Sequence, residues 1–314
     1  MPYAELCVTS NFSFLTGASH PEELVARAAE LGLDAIAITD NNSLAGVVRA
    51  WAALREMAKN PVPKKAPRIN GKDVVQHAIR IRSQVRIDPT SRQDVGLKTG
   101  IEAPRVDRLP KLIVGSRLIL KDSSVHWVAL PTDRPAYARL SRLLTLGKRR
   151  AEKGQCILGL SDVLEGAKGI ILIGLPQGRL AEARGDLLKM AKLFPGHVFL
   201  GATPRYDGRD KARFGRLARL ALETATPMVA VGNVLMHHGK RRQLADVLTC
   251  LREHLTIDEI GARALPNAER RLKGFDEMAQ VFRDHPAALR RTIEITNRCT
   301  FCLSELSFSL CKFV

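Results

Sequence analysis

Aromatic residues make up only 5% of the 314-residue chain, and no interleaved run of Phe and Tyr offers a stacking platform for single-stranded nucleic acid. Cysteine is also sparse. Six residues, Cys7, Cys156, Cys250, Cys299, Cys302 and Cys311, are too few in a chain this long to form a disulfide framework, so they read as reduced thiols. No segment approaches the roughly 18 to 20 uninterrupted apolar residues of a membrane-crossing helix. The opening MPYAELCVTSNF lacks a basic stretch followed by an apolar one, so no secretory leader, no membrane partner and a cytoplasmic location are expected. Acidic residues are outnumbered, 32 against 49 Lys and Arg, giving a formal charge of +17 and a pI of about 10.1. Such an excess favours polyanionic partners through counterion release. A basic solvated surface fed by Arg-rich codons explains the same excess.

What the chain does have is a 45% hydrophobic content, enough for one large core or two modest ones. Short β-rich runs alternate with helical patterns: LDAIAIT at 33–39, then KLIVGSRLIL, HWVALP, GIILIGL, HVFLGAT and PMVAVGN. This is the α/β signature of a parallel sheet or barrel. Before the first of these runs, Ser19 and Glu22 predict a capping box, Leu24, Ala28 and Leu31 share a helical face, and Gly32 stands where the helix would end. Phe214, Leu217, Ala218 and Ala221 predict another core-facing helix. The rhythm breaks between Lys59 and Lys111, where thirteen basic residues face five acidic ones and six prolines intervene. That stretch reads as a flexible insertion, either merely solvated or a DNA-contacting arm. From Lys240 onward strands give way to helices, predicted over RRQLADVLTCLREH and over the whole of NAERRLKGFDEMAQVFRDHPAALRRTIEITNRC.

The segments YAELCVTSNFSFLTGASHPEELVARAAELGLDAIAITDNNSLAGVVRA, VGSRLIL, PTDRPAYARLSRLLTLGKRRAEKGQCILGLSDVL and QLADVLTCLREHLTIDE occur in order along the chain. Together they resemble the N-terminal part of bacterial error-prone DNA polymerases, C-family relatives of the polymerase III alpha subunit. The resemblance implies a polymerase and histidinol phosphatase (PHP) domain, a distorted seven-stranded β/α barrel, over 1–239 with the insertion at about 59–111. It implies a helical segment at 240–306 leading toward a polymerase core, and leaves a divergent tail at 307–314. The ending CTFCLSELSFSLCKFV reads as a premature truncation. The implied function is that of a nucleotidyltransferase in DNA replication, damage-induced translesion synthesis and repair. Its implied partners are DNA, the remaining polymerase domains and other mutagenesis or replication proteins, and magnesium serves the full-length enzyme. Polymerisation needs a palm with an Asp-x-Asp pair to hold two metals, and no Asp-x-Asp occurs in this chain.

The same resemblance locates a vestigial site. Metal-using PHP members place a His-x-His pair after the first strand, where this chain has Thr9 and Asn11. The Thr-Asp-His motif becomes ITDNN, keeping Asp40 but replacing the histidine with Asn41. An acidic ligand falls at Arg117, His126 matches a metal-site position, and an Asp-x-His pair becomes Asn233 and Leu235, followed by His237. Neither catalytic nor metal-binding residues are therefore expected in the chain itself. Three alternatives stay open. His126 and His237 are either hydrogen-bonded structural residues or, with Asp40, ligands of an active phosphoesterase. Asp40 can instead cap the helix starting near Ser43. The basic insertion can make the chain a stand-alone nucleic-acid-binding module. Cys299-x-x-Cys302 has zinc-like spacing, but no fourth ligand lies near it, which favours free thiols.

Overall fold

Each β-rich run bounded by Gly, Pro or Asp becomes a strand in the computed structural model, which describes residues 2–59 and 109–306. The chain runs β1 (Ala4–Val8), α1 (Pro21–Glu30), β2 (Ala35–Asn41), α2 (Ala45–Lys59), β3 (Lys111–Leu118) and β4 (Val125–Pro131). It continues through α3 (Arg134–Arg149), α4 (Leu160–Gly166), β5 (Ile170–Pro176), α5 (Leu180–Leu193), β6 (Val198–Ala202), α6 (Asp210–Glu223) and β7 (Met228–Ala230). It ends with α7 (Arg242–Glu253), α8 (Phe275–Val281) and α9 (Pro286–Arg298). All of the insertion except Lys59 and residues 109–111, and the 307–314 tail, lie outside the described residues.

The seven strands form one sheet in sequential order, β1 to β7. It is not wholly parallel, as the strand-helix rhythm predicts. β3 and β5 both run antiparallel to β4. Residues 119–124 between β3 and β4 are too short for the helical crossover a parallel neighbour needs. The sheet curls until its two edges meet: Thr9 N–H donates to Val234 O and Val234 N–H to Cys7 O, both at 2.9 Å. Glu5 steadies this seam. Its carboxylate accepts from the amides of Cys7 and Gly232 and from the Tyr3 hydroxyl.

Alternation along the strands sorts side chains into two cores. Ala37, Ile113, Val128, Ile173 and Val229 fill the barrel interior. Ile36, Ile38, Trp127, Leu172 and Leu200 face outward, beneath helices carrying Leu24, Leu140, Leu187 and Phe214. The predicted stripe on α6 is buried at Phe214, Leu217 and Ala221. Pro21 sets the start of α1, because a first-turn residue needs no N–H donor, and Gly32 ends that helix with φ at 65°. The capping interaction lies one residue later than predicted, with His20 N–H donating to Glu23 at 2.9 Å, while Ser19 is engaged elsewhere. The helices predicted across 267–299 begin only at Phe275. The segment before it runs extended beside 235–236, where Leu235 N–H donates to Arg270 O and Leu272 N–H to Met236 O. Those backbone groups are satisfied by tertiary pairing, which local propensity does not encode. Finally, α9 closes the barrel floor with Ile295, and Ala4 N–H donates to Thr292 Oγ1 at 3.3 Å.

Candidate functional site

The C-terminal ends of the parallel strands bring Thr9, Asn41 and Asn233 to the barrel mouth. Asn41 pairs in register with Arg117 on β3. Arg117 in turn faces Val128 on β4. His126 lies two residues from Val128 and so shares its face. Because β4 runs antiparallel, its first residues reach the same rim. Asn233 adopts φ 49°, a left-handed conformation that asparagine tolerates better than most residues.

Arg117 is 6% exposed, and its guanidinium donates to Asn233 Oδ1 at 2.5 Å and to Cys7 Sγ at 2.8 Å. Arg270 donates to the same Asn233 Oδ1 at 2.8 Å and to the Asn233 carbonyl at 2.9 Å. Burial, reinforced by the neighbouring Arg117 charge, lowers the Arg270 pKa to about 10. The same two causes lower His126 to about 4, so its imidazole is neutral near pH 7. Arg270 has no local sequence signal, since it sits in a basic run far from any strand. Motif position gives no sign of it.

Several groups at this mouth lack hydrogen-bond partners. Thr9 is fully buried with Oγ1 unpaired, and Arg117 Nε, His126 Nδ1, Asn11 Oδ1 and Asn41 Oδ1 are likewise unsatisfied. Asn11 uses its Nδ2 on His20 Nδ1 at 2.9 Å. Asn41 also lines an open cleft of about 490 Å³ with Ser13, Asn42, Lys148 and Lys153.

The remaining candidates are engaged away from that set. Asp40 accepts from Ser10 N–H, from the Ser10 hydroxyl and from the Ser13 hydroxyl, at 2.8 to 3.0 Å. Burial raises its pKa, while hydrogen bonds from these serines and the Gly46 amide oppose that rise. Asp40 thus meets α2 at Gly46 and latches the loop after β1. A Cβ on Gly46 would lie 2.4 Å from Asp40 Oδ2. His237 Nδ1 pairs with Ser19 Oγ at 2.8 Å and lies 3.7 Å from Glu23. Both neighbours meet the same ring nitrogen, so the imidazole cannot relay a proton between them. Burial is the main cause lowering the His237 pKa. Asp40 and His237 therefore have separate partners, while His126 Nδ1 has none among the described residues. No cluster of three or more His, Cys, Asp or Glu residues suited to a metal occurs among the described residues. Cys299 is buried while Cys302 is exposed, and burial pushes the Cys299 thiol up to about 12, away from ligating thiolate chemistry.

Thr9, Asn11, Asn41, Asn233 and Arg117 thus bring a hydroxyl, three amides and a guanidinium to the mouth. These groups do not fit a multinuclear metal centre. Residues 5–153 match the PHP domain family. Over 98% of its length it is 65% identical to an error-prone DNA polymerase of Ruegeria pomeroyi. It is 39% identical, over 98% of its length, to one of Rhodopseudomonas palustris strain BisB5. It spans 27% and 24% of those two proteins, about a quarter of the length of the curated relatives it matches. Among solved structures, the fold has a distant likeness to a candidate metal-dependent phosphoesterase from Bifidobacterium adolescentis. The TM-score is 0.44 at 14% identity, covering 74% of this chain and 87% of that one. No described helix is long and apolar enough to cross a membrane.

Proposed function

We propose that this chain forms the PHP portion of an error-prone DNA polymerase acting in the cytoplasm, in replication and in damage-induced translesion synthesis and repair. In this reading the domain is architectural and hydrolyses no phosphoester. The 1–239 barrel and the 240–306 helices support a polymerase core that holds magnesium and DNA.

One observation supports the architectural reading: the buried Arg117 guanidinium, bonded to Asn233 and Cys7, stands where the resemblance to metal-using PHP members implies an acidic ligand. A divalent cation 4 Å from that charge would be opposed by roughly 8 kcal/mol at an effective dielectric of 20. The exposed stripe of Leu244, Val247 and Leu251 on α7 fits a surface that further polymerase domains would cover.

The test is elemental analysis of the purified chain after incubation with manganese, zinc or iron, alongside phosphatase and exonuclease assays. No stoichiometric metal and no metal-dependent turnover are expected. Two or more bound equivalents accompanied by turnover would overturn the proposal.

A further inference from the structure

We propose that the barrel mouth binds an oxyanion of the phosphate class between Arg117 and Arg270. Both guanidiniums converge on a neutral amide oxygen, Asn233 Oδ1. Among the described residues, neither has a carboxylate within ion-pair distance. Two buried like charges sharing one uncharged acceptor leave an electrostatic debt that a bound anion would relieve.

A second observation points to the same ligand. Arg117 Nε and Thr9 Oγ1 belong to side chains more than nine-tenths buried, and neither atom has a protein partner. A tetrahedral oxyanion accepts from several directions at once, as a guanidinium fork and a hydroxyl require. His126 Nδ1, also unpaired, can donate to it in the suitable tautomer. The unpaired Asn11 Oδ1 and Asn41 Oδ1 are acceptors, suited to the protonated oxygen of a monohydrogen phosphate or to a bridging water. Asn41 also lines the open cleft, where Lys148 and Lys153 outnumber Glu152 and favour anion approach.

The inference rests on the metal-free reading above, and one experiment separates the two. The full chain is stripped with EDTA and titrated calorimetrically with inorganic phosphate at low ionic strength. Parallel arms use a 5′-phosphorylated oligonucleotide and its 5′-hydroxyl counterpart. One equivalent of phosphate should bind in the millimolar range or tighter. Arg117→Gln and Arg270→Gln should each weaken binding about tenfold or more. Thr9→Val should weaken it severalfold while leaving the unfolding midpoint unchanged, because the Thr9 hydroxyl has no internal bond to lose. This variant and Arg270→Gln decide the matter if Arg117→Gln fails to fold. Preference for the 5′-phosphorylated oligonucleotide identifies a DNA end as the source of the anion, and preference for inorganic phosphate identifies the free ion. No binding by the wild type, or unchanged binding by Arg270→Gln and Thr9→Val, overturns the inference alone. Phosphate binding that appears only after manganese is restored overturns both the inference and the metal-free reading.

Discussion

Arg117 and Arg270 donate to one and the same atom, the side-chain oxygen of Asn233. That oxygen carries only a partial charge, so the two guanidiniums are bridged without being neutralised. Asn233→Asp keeps the shape, tolerates the left-handed backbone and supplies the missing negative charge. It should stabilise the fold by about 1 to 3 kcal/mol at pH 7 through two charge-assisted hydrogen bonds, read as a higher urea midpoint. The same variant should lose phosphate affinity. An unchanged or lower midpoint would mean that the arginine pair is already compensated.

The buried Glu5 and the half-buried His126 give opposing pH dependences in overlapping windows. Glu5 is raised from 4.5 to about 7, chiefly by burial and against the pull of its hydrogen bonds. A carboxyl that holds its proton in the folded state but releases it in the unfolded state favours folding at low pH. Its contribution is complete below about 4.5 and is lost as pH rises through about 7. Relative to Glu5→Gln, the wild type should therefore lose up to about 3 kcal/mol across that window.

His126 acts in the other direction. Its ring resists protonation until about pH 4, whereas an unfolded imidazole protonates near 6.5. The wild type should thus lose stability on acidification between those values, and His126→Gln should lose less. Denaturant titrations at half-unit pH steps check both variants. A flat difference curve for either one removes that residue from the account.

The fold was largely legible in the sequence because six of the seven strands are short β-rich runs punctuated by Gly, Pro or Asp, and those signals are local. The first strand is disguised by Glu5, a buried carboxylate whose partners Tyr3, Cys7 and Gly232 come from both edges of the curled sheet. The antiparallel turn into β4 was legible only from the shortness of residues 119–124. At the site, Thr9, Asn11 and Asn41 were singled out from motif position alone. Arg270 does not, since its role depends on an extended segment pairing with Leu235, a contact between distant parts of the chain.

The rings of Phe214 on α6 and Phe282 just after α8 stack with centroids 4.7 Å apart, and both are buried. Phe282→Ala should cost about 3 to 5 kcal/mol. It should do so in a single transition, because the cavity opens between the barrel layer and the C-terminal helices. Calorimetry showing two separate transitions would instead mean that the helices unfold independently.

Gly46→Ala should be destabilising despite the higher helix propensity of alanine. Its Cβ would fall 2.4 Å from Asp40 Oδ2 and 2.6 Å from Ser10 Oγ, within a fully bonded latch. A loss of about 2 kcal/mol or more is expected from displacing a buried hydrogen-bonded carboxylate. Circular dichroism melts of the two proteins provide the comparison.

The floor of the barrel has a bearing on how the protein comes off the ribosome. Ala4 waits for Thr292, a partner 288 positions later, and the seam between the first and last strands is capped by that same helix. A nascent chain can pair its early strands soon after they emerge, yet it cannot seal its interior until α9 has been translated. Until then the hollow stays open from below, which makes synthesis of the last helix the step that commits the barrel to its finished form.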